Sequence, residues 1–185
     1  MKTLADHVHE YSAYHQDGWN KLTHFIGVPL VTYSILHFLG WFRWGYAPEL
    51  PLTGATLFYV TVFIYFLLLD WQITLLQAPF TLTLLALSDR AALLDPTPSL
   101  AIFLCTFIGG WIIQLVGHVF EGKRPALADN ILQLFNAPVF LTTEVVVLLG
   151  FRDDLRRAMV MDAPHAANGQ AATVERQTAP EKALI

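Results

Sequence analysis

The sequence predicts an all-α, multi-spanning membrane helix bundle with four to five transmembrane helices, the last segment either crossing or re-entering. Three observations predict it. Hydrophobic residues make up 55% of the 185 and charged residues 14%, against about 25% charged in an ordinary soluble domain. Mean hydropathy is +0.47. The apolar residues also fall in long runs, each close to the ~20 residues that one membrane helix needs.

The first 24 residues are polar and lack the apolar core of a signal peptide. Phe25 to Phe42 is the first apolar run, ending at Arg43. From Leu50 to Ser88 the single charge is Asp70, near the midpoint, and the stretch is long enough for two helices. It is expected to form a tight hairpin, Leu52–Leu69 and Trp71–Leu87, with one long helix kinked at Pro79 as the alternative. Ser88 to Ser99 is expected to be a loop stopped by Pro96 and Pro98, and Leu100 to Gly117 is the next run. Gly122 to Asn130 is polar. Ile131 to Phe151 contains Asn136, Pro138, Thr142, Thr143 and Glu144. That polarity predicts a segment packed inside the bundle or one that re-enters. Residues 1–157 are expected to form one membrane domain. Residues 158–185 are Ala-, Pro- and Gln-rich without periodicity, so a disordered tail is expected there, and His165 belongs to no site.

Two polar segments frame the apolar body: Tyr14 to Pro29, with His15 and His24, and Gln114 to Leu127, with His118. Imidazoles and carboxylates at the ends of apolar helices are costly unless they bind something. If the first run, both hairpin arms and Leu100–Gly117 each cross once, four crossings bring His24 and His118 to one face, with Asp70. A single kinked helix would leave the motifs on opposite faces. Lys2, Lys21, Lys123 and Arg124 lie on the motif face, and Arg43 and Arg90 on the other. If Ile131–Phe151 does not cross, Arg152, Arg156 and Arg157 join the motif face and place it in the cytoplasm, at a bacterial inner membrane or the endoplasmic reticulum. If it crosses, the charges say nothing.

In one continuous helix, nine residues at about 100° each would put His15 and His24 on opposite faces, so convergence requires a bend, with Gly18 the plausible place. Asn20 shares a face with His24, and His118 with Glu121. Three neutral imidazoles, or two with a carboxylate, leave open positions on a divalent ion. With a lone cysteine, Cys105, the donors suit a ferrous, manganese or catalytic zinc centre. Asn20, Asp70 and Glu121 are candidates to orient the rings or complete the shell. Glu144 joins them as an acid inside an apolar run. Lys123 and Arg124 can pair with a substrate carboxylate. His37 lies about 20 Å along the helix from His24 and is expected to be a packing or interfacial residue. His7 and His9 are expected to be solvated. A net charge of −4 without a basic patch argues against nucleic acid.

The phrases H-x4-N-x3-H-x2-G-x-P (His15 to Pro29) and Q-x2-G-H, continuing through Phe120-Glu121 to K-R-P-A-L (Gln114 to Leu127), carry a resemblance. So do Asp129-Asn130 and the run from Asn136 to Glu144. Over roughly residues 5 to 150 the chain resembles the 2-hydroxy fatty acid dioxygenase family, small multi-spanning membrane proteins that include a fungal endoplasmic-reticulum enzyme of phytosphingosine breakdown. The resemblance implies iron(II)-dependent α-oxidation: oxygen cleaves C1–C2 of a 2-hydroxy fatty acid, without 2-oxoglutarate. It implies that His15, His24 and His118 are the essential histidines. The completing acid stays open between Glu121, Asp70 and Glu144. Two rivals are a zinc-dependent lipid hydrolase and a non-enzymatic membrane lipid-binding protein or scaffold. The HxxxH and HxxHH clusters of di-iron membrane hydroxylases do not occur.

Overall fold

The computed structural model describes residues 3–12, 15–46, 51–122 and 133–160. Within them the order is α1 (Leu4–Ser12), α2 (Gly18–Gly40), β1 (Arg43–Tyr46), β2 (Pro51–Thr53), α3 (Gly54–Leu69), α4 (Trp71–Ala92), α5 (Pro96–Glu121), α6 (Gln133–Leu148) and α7 (Asp153–Val160). The all-α reading holds apart from the short antiparallel β1–β2 hairpin, paired Arg43 with Thr53 and Tyr46 with Pro51.

Helix α2 starts at Gly18, earlier than the apolar run that announces it. The start is set by Asp17, whose carboxylate accepts from Trp19 N at 2.8 Å and Asn20 N at 3.0 Å. Asp70 makes the second decisive break. Its backbone is extended (φ −156°, ψ 100°), ending α3, while its side chain accepts from Gln72 N and Ile73 N and so begins α4. Tyr59 and Thr81, each eleven residues from Asp70, meet at 3.5 Å, so α3 and α4 run antiparallel. The hairpin is real, and Pro79 sits inside α4 without breaking it.

The expected loop from Ser88 to Ser99 shrinks to residues 93–95. The prolines that were expected to stop helices instead open α5. Pro lacks the N–H that the first helical turn leaves unpaired anyway, and its fixed φ suits that position.

Helix α5 lies antiparallel on α2 along a seam of small residues. A methyl group added at Gly27 would sit 2.6 Å from the Gln114 Cγ and 2.9 Å from the Gly110 carbonyl. One added at Gly117 would sit 2.6 Å from the Asn20 Oδ1. Close approach through glycine is how apolar helices pack where lipid removes the hydrophobic drive between them. The seam is polar inside and apolar outside. Asn20, His24, Ser34 and His37 of α2, and Ser99, Gln114 and His118 of α5, are buried, whereas Leu104, Ile108, Ile112, Leu115 and Val119 are exposed. A surface this apolar is unsuited to water and fits lipid.

By length and composition, α2 and α5 are each able to cross a membrane. Helix α3, with 16 residues, is apolar but shorter. Helix α6 buries Asn136, Phe140, Thr143 and Glu144, as its polarity predicted, and meets α7 at a bend of 111°. Arg152, with φ 58°, lies in that bend and pairs with Asp70 at 2.8 Å, tying the end of α6 to the α3–α4 turn. Glu121, at the end of α5, is bonded to residues 16 and 17. Glu121 and Arg152 thus both lie at the end of the bundle that holds the Asp70 turn. Helix α7 extends past residue 157. Residues 161–185, with the expected tail and His165, lie outside the described residues.

Candidate metal centre

The three histidines arrive from different local structures. His24 stands on the second turn of α2 and His118 on the last turn of α5, where Gly122, with φ 68°, closes the helix. His15 precedes α2 in non-helical chain, so the bend required for His15 and His24 to meet lies just before Gly18. All three are buried, and one ligand nitrogen from each lies within 4.8 Å of the others. Their ring centroids are 4.4 to 5.1 Å apart.

The hydrogen bonds fix which nitrogens are free. His15 Nδ1 lies 2.9 Å from the Tyr11 carbonyl, and His24 Nδ1 lies 2.9 Å from the Asn20 carbonyl. A carbonyl only accepts, so each Nδ1 carries the proton and each Nε2 of a neutral ring presents a lone pair. Those two Nε2 atoms face each other at 3.1 Å. Two acceptors at that distance need a cation or a shared proton between them. Burial first, and then the neighbouring His24 ring, push His15 down to about 3, so it is neutral at physiological pH and a proton is the weaker candidate. His118 Nδ1, also buried, has no hydrogen-bond partner among the described residues. Backbone carbonyls holding the far ring nitrogens are the usual support of metal-ligating histidines. The donor set fits a divalent metal.

Around the rings, Tyr11 stacks flat on His15, centroids 4.0 Å apart at 7°, and Phe140 packs on Tyr11 at 4.2 Å. Burial, with a smaller contribution from the Glu144 charge, holds the Tyr11 hydroxyl above its usual range, so it stays protonated.

The four polar candidates divide. Asn20 and Glu121 sit with the histidines: Glu121 accepts from Gln16 N at 3.0 Å, Asp17 N at 2.7 Å and Asn20 Nδ2 at 3.1 Å. It clasps the His15 segment to the end of α5. Asp70 caps α4 and pairs with Arg152. Glu144 pairs with Lys21 at 2.5 Å. Among the described residues, the group able to hold a metal contains no carboxylate. Lys123 and Arg124 lie outside the described residues. Lys21 and Tyr11 were not singled out from sequence. Lys21 stands three residues before His24, a spacing that puts both on one helix face and was the available signal.

The remaining histidines have other work. His37 Nε2 pairs with Ser99 Oγ at 2.9 Å in a fully buried position, the packing role expected. His7 and His9 are not simply solvated: His7 meets Tyr65 and Asn136, and His9 Nδ1 donates to the Ala158 carbonyl.

A family model described as 2-hydroxy-palmitic acid dioxygenase Mpo1-like matches residues 1–148. The chain belongs to the Mpo1-like family. The 2-hydroxy-palmitic acid dioxygenase MPO1 of Saccharomyces cerevisiae is 35% identical over 158 residues, covering 82% of this chain and 84% of the yeast protein. No solved structure matches. The Mpo1-like match contains all three site histidines, Asn20, Glu121 and Glu144, and ends before α7, whose docking on α1 is therefore a feature outside the matched region.

Proposed function

We propose that this chain is an iron(II)-dependent dioxygenase that cleaves C1–C2 of 2-hydroxy fatty acids and releases an acid one carbon shorter. The observation that carries the proposal is the pair of facing Nε2 lone pairs of His15 and His24, with His118 beside them. His15, His24 and His118 would hold the metal. Bound iron(II) supplies open coordination positions at which oxygen and a chelating hydroxy acid can be activated. The names of the family and of the yeast relative support a 2-hydroxy fatty acid and O2 as substrates. Atoms and electrons balance without an external reductant when C1 leaves as carbon dioxide together with one water.

The chain's own residues orient and exclude. The Tyr11 and Asn20 carbonyls hold the ring tautomers, and Glu121 fixes the His15 segment. Tyr11 and Phe140 cover His15 and keep water from it. Lys123 and Arg124, read from sequence, are the groups to pair with the substrate carboxylate, while Lys21 is held by Glu144.

The bundle lies in a membrane with this end at the cytoplasmic face. The return of α6 to the Asp70 turn supports the no-crossing count of basic residues, which favours that side. Four helices, α2 to α5, then cross, with α6 re-entrant. The test is anaerobic iron(II) loading of purified protein, followed by oxygen and 2-hydroxypalmitate, with product lengths read by mass spectrometry. An odd-chain acid is expected. Zinc-supported ester hydrolysis without oxygen uptake would overturn the proposal, as would binding without turnover.

A further inference from the structure

A cavity lies between α2, α3, α4 and α6, and nothing in the metal centre uses it. Its volume is about 70 Å³ and its lining is mostly apolar. Phe58, Val62, Phe63 and Phe66 of α3 form one wall, facing Ile35 and Leu36 of α2 and Pro138 of α6. Resting on the dioxygenase reading above, we infer that this cavity is the inner part of an acyl-chain slot, and that the Tyr59–Thr81 pair is the floor that gauges chain length.

Depth supports this placement. On α2 the cavity begins at Thr32 and ends at Leu36, about 12 to 18 Å beyond His24 at the helical rise. On α6 it is lined by Phe135 and Pro138, on the N-terminal side of Phe140, the ring that packs near His15. On the α3–α4 hairpin its near end is Phe66 and Thr74, close to the Asp70 turn. Its far end is Tyr59 and Thr81, about 10 Å deeper. Phe66 also lines a smaller gap together with Phe140, the ring near His15, and with His7 and Asn136. A hydroxy acid with its head at the histidines would thus send its tail toward this apolar cavity.

The floor has the right character for a gauge. Thr81 Oγ1 is tied to the Tyr59 hydroxyl at 3.5 Å and to the Gln77 and Ala78 carbonyls at 3.3 Å. Methylenes gain by displacing water and lose by meeting bonded hydroxyls, so affinity should climb with chain length until the terminal methyl reaches this pair.

The experiment is equilibrium binding of a series of saturated 2-hydroxy acids, octanoate to stearate, to the iron(II)-loaded full chain under strict anaerobiosis. Oxygen uptake is recorded afterwards on the same samples. Wild-type affinity should rise with length and then level off. Thr81→Trp should move the plateau to shorter acids, at about fourfold per excluded methylene, and leave octanoate binding unchanged. Tyr59→Ala should move the plateau to longer acids, which keeps the test decisive if the bulky variant fails to fold. A plateau unmoved in both, an equal loss at every length, or a phospholipid that 2-hydroxypalmitate does not displace would overturn the slot. A shifted plateau without oxygen uptake would leave the slot standing and sink the dioxygenase reading; turnover with an unmoved plateau would do the reverse.

Discussion

The α2–α5 pair buries histidine at both ends, and the ends are not equivalent. At one, His37 Nε2 meets Ser99 Oγ, a hydroxyl that also receives Trp41 Nε1 at 2.9 Å. Every group in that trio has a complementary partner except His37 Nδ1, which has none among the described residues. At the other end, His15 and His24 turn lone pairs on each other at 3.1 Å, and the polar groups around them hold the far sides of the rings. Burial of a histidine is common to both. Only in the second do two lone pairs face each other across a gap that a cation or a shared proton would fill, and on the proposed reading that difference separates packing from coordination.

The largest expected effect falls on the end with the facing lone pairs. His15→Ala, His24→Ala or His118→Ala should each cut metal retention and oxygen uptake by at least about 100-fold, above the range for outer partners of a metal site. Metal analysis after gel filtration and an oxygen electrode would read both. Removing the clasp comes next. Glu121→Gln places an amide NH2 against the Gln16 and Asp17 N–H donors, and should lower metal affinity by about 10–100-fold while the protein remains folded. Competition with a chelator measures it.

At the His37 end the expected loss is of stability. Ser99→Ala strands His37 Nε2 and Trp41 Nε1, costing about 1–3 kcal/mol on thermal or denaturant unfolding, with metal content unchanged. His37→Phe, which removes the ring nitrogens as well, should cost less. The smallest effect belongs to Asp70. Asp70→Ala removes the α4 cap and the Arg152 pair, for about 0.5–2 kcal/mol of stability. Iron and turnover should persist; their loss would bring Asp70 back as a candidate for the shell.

The same comparison shows where sequence was sufficient. The three histidines were legible because apolar helices rarely end in imidazoles without cause. The hairpin was legible because one aspartate interrupts a run long enough for two helices. The bend before α2 followed from angular spacing alone. Partners across helices were not legible: nothing in the local sequence says that Glu121 turns to the backbone of residues 16 and 17, or that Lys21 finds Glu144. Those pairs depend on how closely Gly117 lets α5 approach α2. Pro96 and Pro98 misled because proline both ends a helix and suits its first turn, and only the chain direction decides which.

The most direct measurement is iron(II) stoichiometry on anaerobically loaded protein, with oxygen uptake on 2-hydroxypalmitate recorded from the same samples. One iron per chain is expected for the wild type and for His37→Ala, and none for His118→Ala, with uptake following the metal. A His118→Ala protein that keeps both its iron and its full turnover would contradict the account.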